Sequence, residues 1–262
     1  MRTILTLLAS IALLSTSAQV DINKMMQERM ARQGQDGSKG AGGSTTMVDD
    51  TDPFVPNEFI GSFRMEMHSY TGTTEEKNSP MNVRYWSSAD MTLNAVQMPE
   101  QRGQQMRMLT DLKGKWSYML MTDEKGKKTA MKSPKKKVVG AGTASGKQDP
   151  VITMTKETKM IEGHTCTKVI VVSEDGTWTG WVAEDVKAPF TDMTRSMQQR
   201  GDQSHVNAMR SVQGMPLEFE WVPTDGKSRM VCYVKELEAG KVDTSVFSLD
   251  GYEVMEMPSF GH

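Results

Sequence analysis

Four pairs of methionines, Met65/Met67, Met106/Met108, Met119/Met121 and Met255/Met257, share the spacing M-x-M. In a β-strand, residues two apart lie on one face, so each pair would set two thioethers side by side. Thioether sulfur is soft and suits Cu(I) or Ag(I). Its flexible side chain also fills irregular apolar space or lines adaptable binding grooves. Methionine is the compositional outlier, at 24 of 262 residues, so plain packing, an apolar ligand and a soft metal are the three readings to separate. The best local metal set is Met65, Met67 and His68, although in a regular strand His68 faces away from both methionines.

The remaining chemistry-bearing residues form no recognisable catalytic pattern. The four histidines, His68, His164, His205 and His262, fall in neither H-E-x-x-H nor any arrangement beside G-x-S-x-G, and neither motif occurs. The run V-V-G-A-G-T-A-S-G-K-Q at 138–148 imitates a phosphate-binding loop. It has Ala141 where the motif needs glycine and Gln148 where it needs a hydroxyl for magnesium. Lys132, Lys135, Lys136 and Lys137 lack interleaved aromatic residues for stacking bases, and the formal net charge is −2. The expectation is a protein that is not an enzyme, with no cofactor and no nucleic-acid partner.

These side chains need strands to hold them. Phe63, Met65 and Met67 alternate with Arg64, Glu66 and His68, the period of a half-buried strand over 59–70. Similar runs at 81–87, 91–98, 106–110 and 115–121 predict a meander. Residues 165–172 and 177–183, joined by a turn at 173–176, predict a hairpin whose Trp178 and Trp181 take opposite faces, one for the core and one nearer the rim. A second hairpin is predicted over 217–221 and 228–237, then a helical turn over 242–247 and a last strand over 252–257. Phe190, Met193, Met197, Val206, Met209 and Val212 recur at helical spacing, which predicts an amphipathic helix over 190–212 broken at Gly201-Asp202.

Residues 1–18, with Arg2, an apolar run over 4–14 and small residues before a cut near Ala18, read as a signal peptide, too short to span a membrane. A short helix and a Gly/Ser-rich linker are expected over 19–50. One domain is expected over 51–258, with a Lys- and Gly-rich solvated loop at 122–150. Export permits a disulfide between Cys166 and Cys232, while burial in strands suits free thiols equally.

Four runs in order, K-M-I-E-G-H-T-C-T-K-V-I-V at 159–171, W-V-A-E-D-V at 181–186, G-M-P-L-E-F at 214–219 and V-D-T-S-V-F-S-L-D-G-Y at 242–252, resemble a bacterial family catalogued as domain of unknown function 4412. The resemblance covers about residues 54–257. That family is similar to the LolA/LppX-type fold of periplasmic lipoprotein carriers. The resemblance implies an α+β protein whose curved antiparallel sheet forms an open half-barrel with helices on its concave face. It also implies an apolar groove, for which Phe63, Met65, Met67, Met106, Met108, Met119, Met121, Trp181, Met193, Met197, Leu217, Phe219 and Trp221 are the candidate lining, with helix 190–212 as a lid. The expected function is an exported, periplasmic or secreted, non-enzymatic carrier of a lipid, acyl chain or lipidated peptide or protein. A Cu(I)/Ag(I) binder using M-x-M pairs and an envelope scaffold with no small ligand are the rivals.

Overall fold

The computed structural model describes residues 46–97, 106–123, 125–139, 149–187 and 212–256. In chain order the strands are β1 (Thr46–Asp49), β2 (Gly61–Thr71), β3 (Thr74–Glu75), β4 (Met81–Ser87), β5 (Met91–Gln97), β6 (Met106–Asp111), β7 (Trp116–Thr122), β8 (Lys128–Pro134), β9 (Lys136–Val139), β10 (Val151–Ile161), β11 (His164–Ser173), β12 (Gly176–Ala183), β13 (Met215–Pro223), β14 (Ser228–Ala239) and β15 (Tyr252–Glu256). Thirteen of them form one sheet in the order β10-β11-β12-β13-β14-β2-β4-β5-β6-β7-β8-β15, with β3 paired to β2 off that path. β1 and β9 form a separate ribbon. Every pairing is antiparallel except that of β15 with β8. Among the described residues no helix is long and apolar enough to cross a membrane.

The expected α+β class is corrected. The described residues are nearly all sheet, open rather than closed, with no helix of seven residues or more. The one helical element among them is a 3-10 turn, Thr244–Phe247, capped by the Asp243 carboxylate, which accepts from the Ser245 N–H. The expected helix over 190–212 lies outside the described residues, apart from Val212. Instead of helices on a concave face, the described element that covers the sheet is the irregular segment around that 3-10 turn. Val242, Val246, Phe247 and Leu249 pack over Leu93, Leu109, Leu120 and Ala130. A run too short for a helix can still bury apolar side chains when it lies across strands that alternate correctly.

The sheet therefore has two cores on opposite faces. The larger one contains Phe63, Met65, Val83, Tyr85, Val169, Trp178, Leu217, Phe219 and Cys232. Register shows why: Phe63 pairs with Tyr85, Met65 with Val83, Cys232 with Met67, Phe219 with Cys232, and Gly180 with Phe219, so apolar positions coincide across β12, β13, β14, β2 and β4. Trp178 is fully buried, and its ring lies over Gly180, where an added Cβ would meet a ring carbon at 2.2 Å. Gly61, at φ 152°, is equally constrained, since a Cβ there would meet the Glu238 carbonyl oxygen at 2.1 Å. That contact sits where β14 shifts register against β2, and there Glu236, at φ 54°, reaches Arg64 Nε at 3.0 Å. The smaller core uses the other parity, Leu93, Leu109, Leu120 and Ala130.

The expected solvated loop at 122–150 is corrected in part, because β8 and β9 occupy it. Ala130 is fully buried, while lysines on the same strand stay wet and lay their stems over aromatic rings, Lys132 Nζ 3.7 Å from Trp116 and Lys128 Nζ 5.6 Å from Tyr252. Lys135, Lys136 and Lys137 bond to Asp50, Asp49 and Asp52, respectively, the acids in and beside β1. The lysine run is thus neutralised by a stretch that reads as linker in sequence. Asp50 is nearly buried. Burial alone would raise its pKa, but the Lys135 bond, the Asp52 N–H and the charges of Lys135 and Lys115 outweigh it and hold the carboxyl at about 2.

Candidate ligand-binding face

Phe63, Met65 and Met67 define one face of the sheet and Leu93 the other. On the Phe63 face the larger core does not end abruptly. Its margin is a set of half-buried side chains, Trp221, Met230, Met67, Met81 and Val96, packed against it on β13, β14, β2, β4 and β5. The alternation of each strand sets this margin, because Trp221 pairs with Met230, Met67 with Met81, and Val83 with Val96. Four strand spacings of about 4.8 Å give it a length of about 19 Å. At its β13–β14 end is a cleft of about 190 Å³ whose apolar wall is Trp221, Pro223 and Met230 and whose rim is Ser69, Tyr70, Glu76, Ser228 and Arg229. Arg229 stacks 4.4 Å over Tyr70 and donates to Glu220 at 3.2 Å, so its guanidinium is held on the His68 face, across the sheet from Trp221 and Met230.

The same face continues across the second half of the sheet with different contents. Asn94 pairs with Met108, Met108 with Met119, Met119 with Met131, and Met131 with Met255, so one rung across β6, β7, β8 and β15 is four methionines. Met108, Met119 and Met131 are half-buried and Met255 is exposed. None of the four belongs to either core. The neighbouring rung is hydroxyl-bearing, with Thr92 opposite Thr110 and Thr110 opposite Ser117.

The predicted site residues divide accordingly. Phe63, Met65, Leu217 and Phe219 are core. Met67 and Trp221 lie on the margin, and Met108, Met119 and Met121 are half-buried on the second half of the face. Trp181, half-buried, also packs against the larger core, with Lys159 Nζ 4.5 Å and Lys168 Nζ 5.9 Å from its ring. Met193 and Met197 lie outside the described residues, as does the side chain of Met106. Met81, Val96, Met131 and Met230 were missing from the candidate lining, although each alternates correctly within its strand. Only the register brings them beside the others.

Met65, Met67 and His68 are not brought together. Met65 is 4% exposed in the core, while His68 on the other face bonds Glu75 at 2.6 Å and Glu66 at 2.9 Å. Burial would lower the His68 pKa, but the two carboxylates outweigh it and raise it. The described residues contain no cluster of three or more His, Cys, Asp and Glu able to hold a metal ion. The permitted Cys166–Cys232 bridge is not formed, and both thiols are free and buried. β12 and β13 lie between their strands, a separation of about 14 Å against the roughly 7 Å limit between Cα atoms of a bridged pair. Burial pushes both thiols above their usual range, which leaves them unreactive.

The model of the family described as Domain of unknown function (DUF4412) matches residues 59–251. No curated protein matches the sequence. Among solved structures, LppX, a lipoprotein of Mycobacterium tuberculosis, aligns over 81% of this chain and 96% of its own at 12% identity and a TM-score of 0.33. A domain from Vibrio parahaemolyticus, proposed to be an outer membrane lipoprotein-sorting protein, aligns over 86% of this chain and 95% of its own at 8% identity and a TM-score of 0.29. PNGF-II aligns over 76% of this chain at 13% identity and a TM-score of 0.35, and the chain spans only 32% of its length. At these scores none of the three carries an argument about activity.

Proposed function

The chain belongs to the DUF4412 family, whose match over residues 59–251 takes in most of the sheet, and on that footing we propose that it is an exported, non-enzymatic binding protein for an amphiphile with an apolar chain. The observation that carries this reading is the half-buried margin Trp221–Met230–Met67–Met81–Val96 ending in a cleft with a polar rim. The cleft takes the first part of the chain against Trp221 and Pro223. The hydroxyls of Ser69 and Ser228, on the face of Trp221 and Met230, face the head group, and the rest of the chain lies along the methionines. Each methylene removed from water contributes about 0.8 kcal/mol, and association and ordering costs offset much of the sum. A margin about 19 Å long therefore suits a long chain rather than a short one. Unbranched methionine side chains adapt to chains that differ in length.

A fluorescent long-chain fatty acid titrated into the purified chain tests this. The expected result is saturable micromolar binding, weakened at least tenfold by Trp221→Ala or Met230→Ala and unchanged by Met119→Leu. Binding that is absent, or unaffected by both margin variants, removes the proposal.

A further inference from the structure

We propose that the methionine rung Met108–Met119–Met131–Met255 binds a soft monovalent metal ion, Cu(I) or Ag(I), between adjacent members, with Met119 and Met131 at its centre as the pair that holds it, distinct from the amphiphile margin. Each is on a different strand, β6, β7, β8 and β15, and the register makes them consecutive members of one rung. Cross-strand neighbours lie about 4.5–5.5 Å apart, whereas the two methionines of an M-x-M pair are separated by about 6.5–7 Å along their strand. Adjacent rung members are therefore the tighter thioether pairs, and each side chain has three rotatable bonds with which to bring its sulfur to an ion shared with its neighbour, although the full rung, about 14 Å across three strand spacings, is too long for all four to share one.

Packing among the described residues does not account for these four methionines, because they lie outside both described cores and stay half-buried or, at Met255, 42% exposed. Their surroundings fit an uncharged soft-donor site. The adjoining rung is Thr110 and Ser117, and the nearest carboxylate along β15 on this face, Glu253, is engaged by Lys127 at 2.8 Å. With only neutral sulfur offered, a monovalent d10 ion is favoured over Zn(II), Mg(II) or Ca(II), which take imidazole, thiolate or oxygen ligands. Met121, two residues from Met119 on the same strand face and also half-buried, lies beside this pair.

The test is titration of the full chain with Ag(I) under a thioether competitor, read by bound silver after desalting and by the methyl resonances of 13C-methyl-methionine protein. One equivalent is expected, with the Met119 and Met131 methyl signals shifting together. In Met119→Leu/Met131→Leu the affinity should fall at least tenfold with the circular dichroism spectrum retained, and Met65→Leu/Met67→Leu should bind like the parent. No retained silver, equal retention by Met119→Leu/Met131→Leu, or shifts confined to other methionines overturns the proposal. Fatty-acid binding by the same variants is read separately, so failure of this site leaves the amphiphile margin standing or falling on its own titration.

Discussion

From β11 to β14 and through β2 and β4 the Phe63 face is the core, whereas from β6 to β8 and β15 the core lies on the Leu93 face beneath residues 242–249. The changeover is β5, where Thr92, Leu93, Asn94 and Ala95 are all buried, so both faces of one strand are covered at once. The consequence is that one sequence pattern has two meanings. Met65 in an M-x-M pair is 4% exposed, while Met119, at the same parity on the same face, is half-buried outside either core. Core side chains and recognition side chains are thus drawn from one set of alternating positions, and which they become depends on where the covering segment lies.

Removing the largest buried side chain should test this division most severely. Trp178→Ala is expected to destabilise by about 3–5 kcal/mol, because the cavity beside Phe219 and over Gly180 cannot collapse without shifting the sheet. Chemical denaturation should still show one transition, since β4 and β5 pair continuously across the changeover. Two separated transitions would mean that the halves fold independently.

A smaller effect, of about 2 kcal/mol, is expected from the charge cluster that ties β1 to the second half. The Asp50 carboxyl titrates at about 2, below its ordinary 3.8. Its stabilisation is therefore complete above about pH 4 and is lost as pH falls through about 2. Asp50→Asn should lower stability at pH 7 and flatten that part of the acid profile, and an unchanged profile would show that the lysine cluster does not anchor the ribbon. On the first half, His68 between Glu66 and Glu75 has the opposite sign. Its raised pKa gives a contribution that is complete below about pH 6.5 and is lost as pH rises through the folded value. The His68 ring titration by NMR should lie above 6.5, and a value at or below it would count against the two-carboxylate arrangement.

Much of this fold was legible because alternation is local. β4 spans the predicted 81–87, β5 differs from prediction by one residue at its end and β7 by one residue at each end, and both hairpins and the 242–247 turn lie where their turn residues place them. β8 was not legible, because four lysines around Ala130 and Met131 read as solvated chain. What stabilises the strand is nonlocal: Trp116, Tyr252 and the acids of the β1 region. The site was legible only by residue type. M-x-M identified Met108 and Met119 but could not say that Met131 and Met255 complete their rung, because the parallel pairing of β15 with β8 joins residues more than a hundred positions apart.

The smallest expected effect discriminates most sharply between the two halves. Met65 lies in the core between Val83 and Val234 on neighbouring strands, so Met65→Ser leaves a cavity and a hydroxyl in apolar surroundings, at a cost of about 3 kcal/mol. Met119→Ser removes the same atoms from the same face of the same sheet. There the next rung already carries hydroxyls and Met119 belongs to neither described core, so the change should fall within about 0.5 kcal/mol. Equal losses at the two positions would mean that the Phe63 face of β6 to β15 is packed in the folded protein and unavailable to any ligand. A loss confined to Met65 leaves the methionine rung without a structural role and makes recognition the reason for its composition.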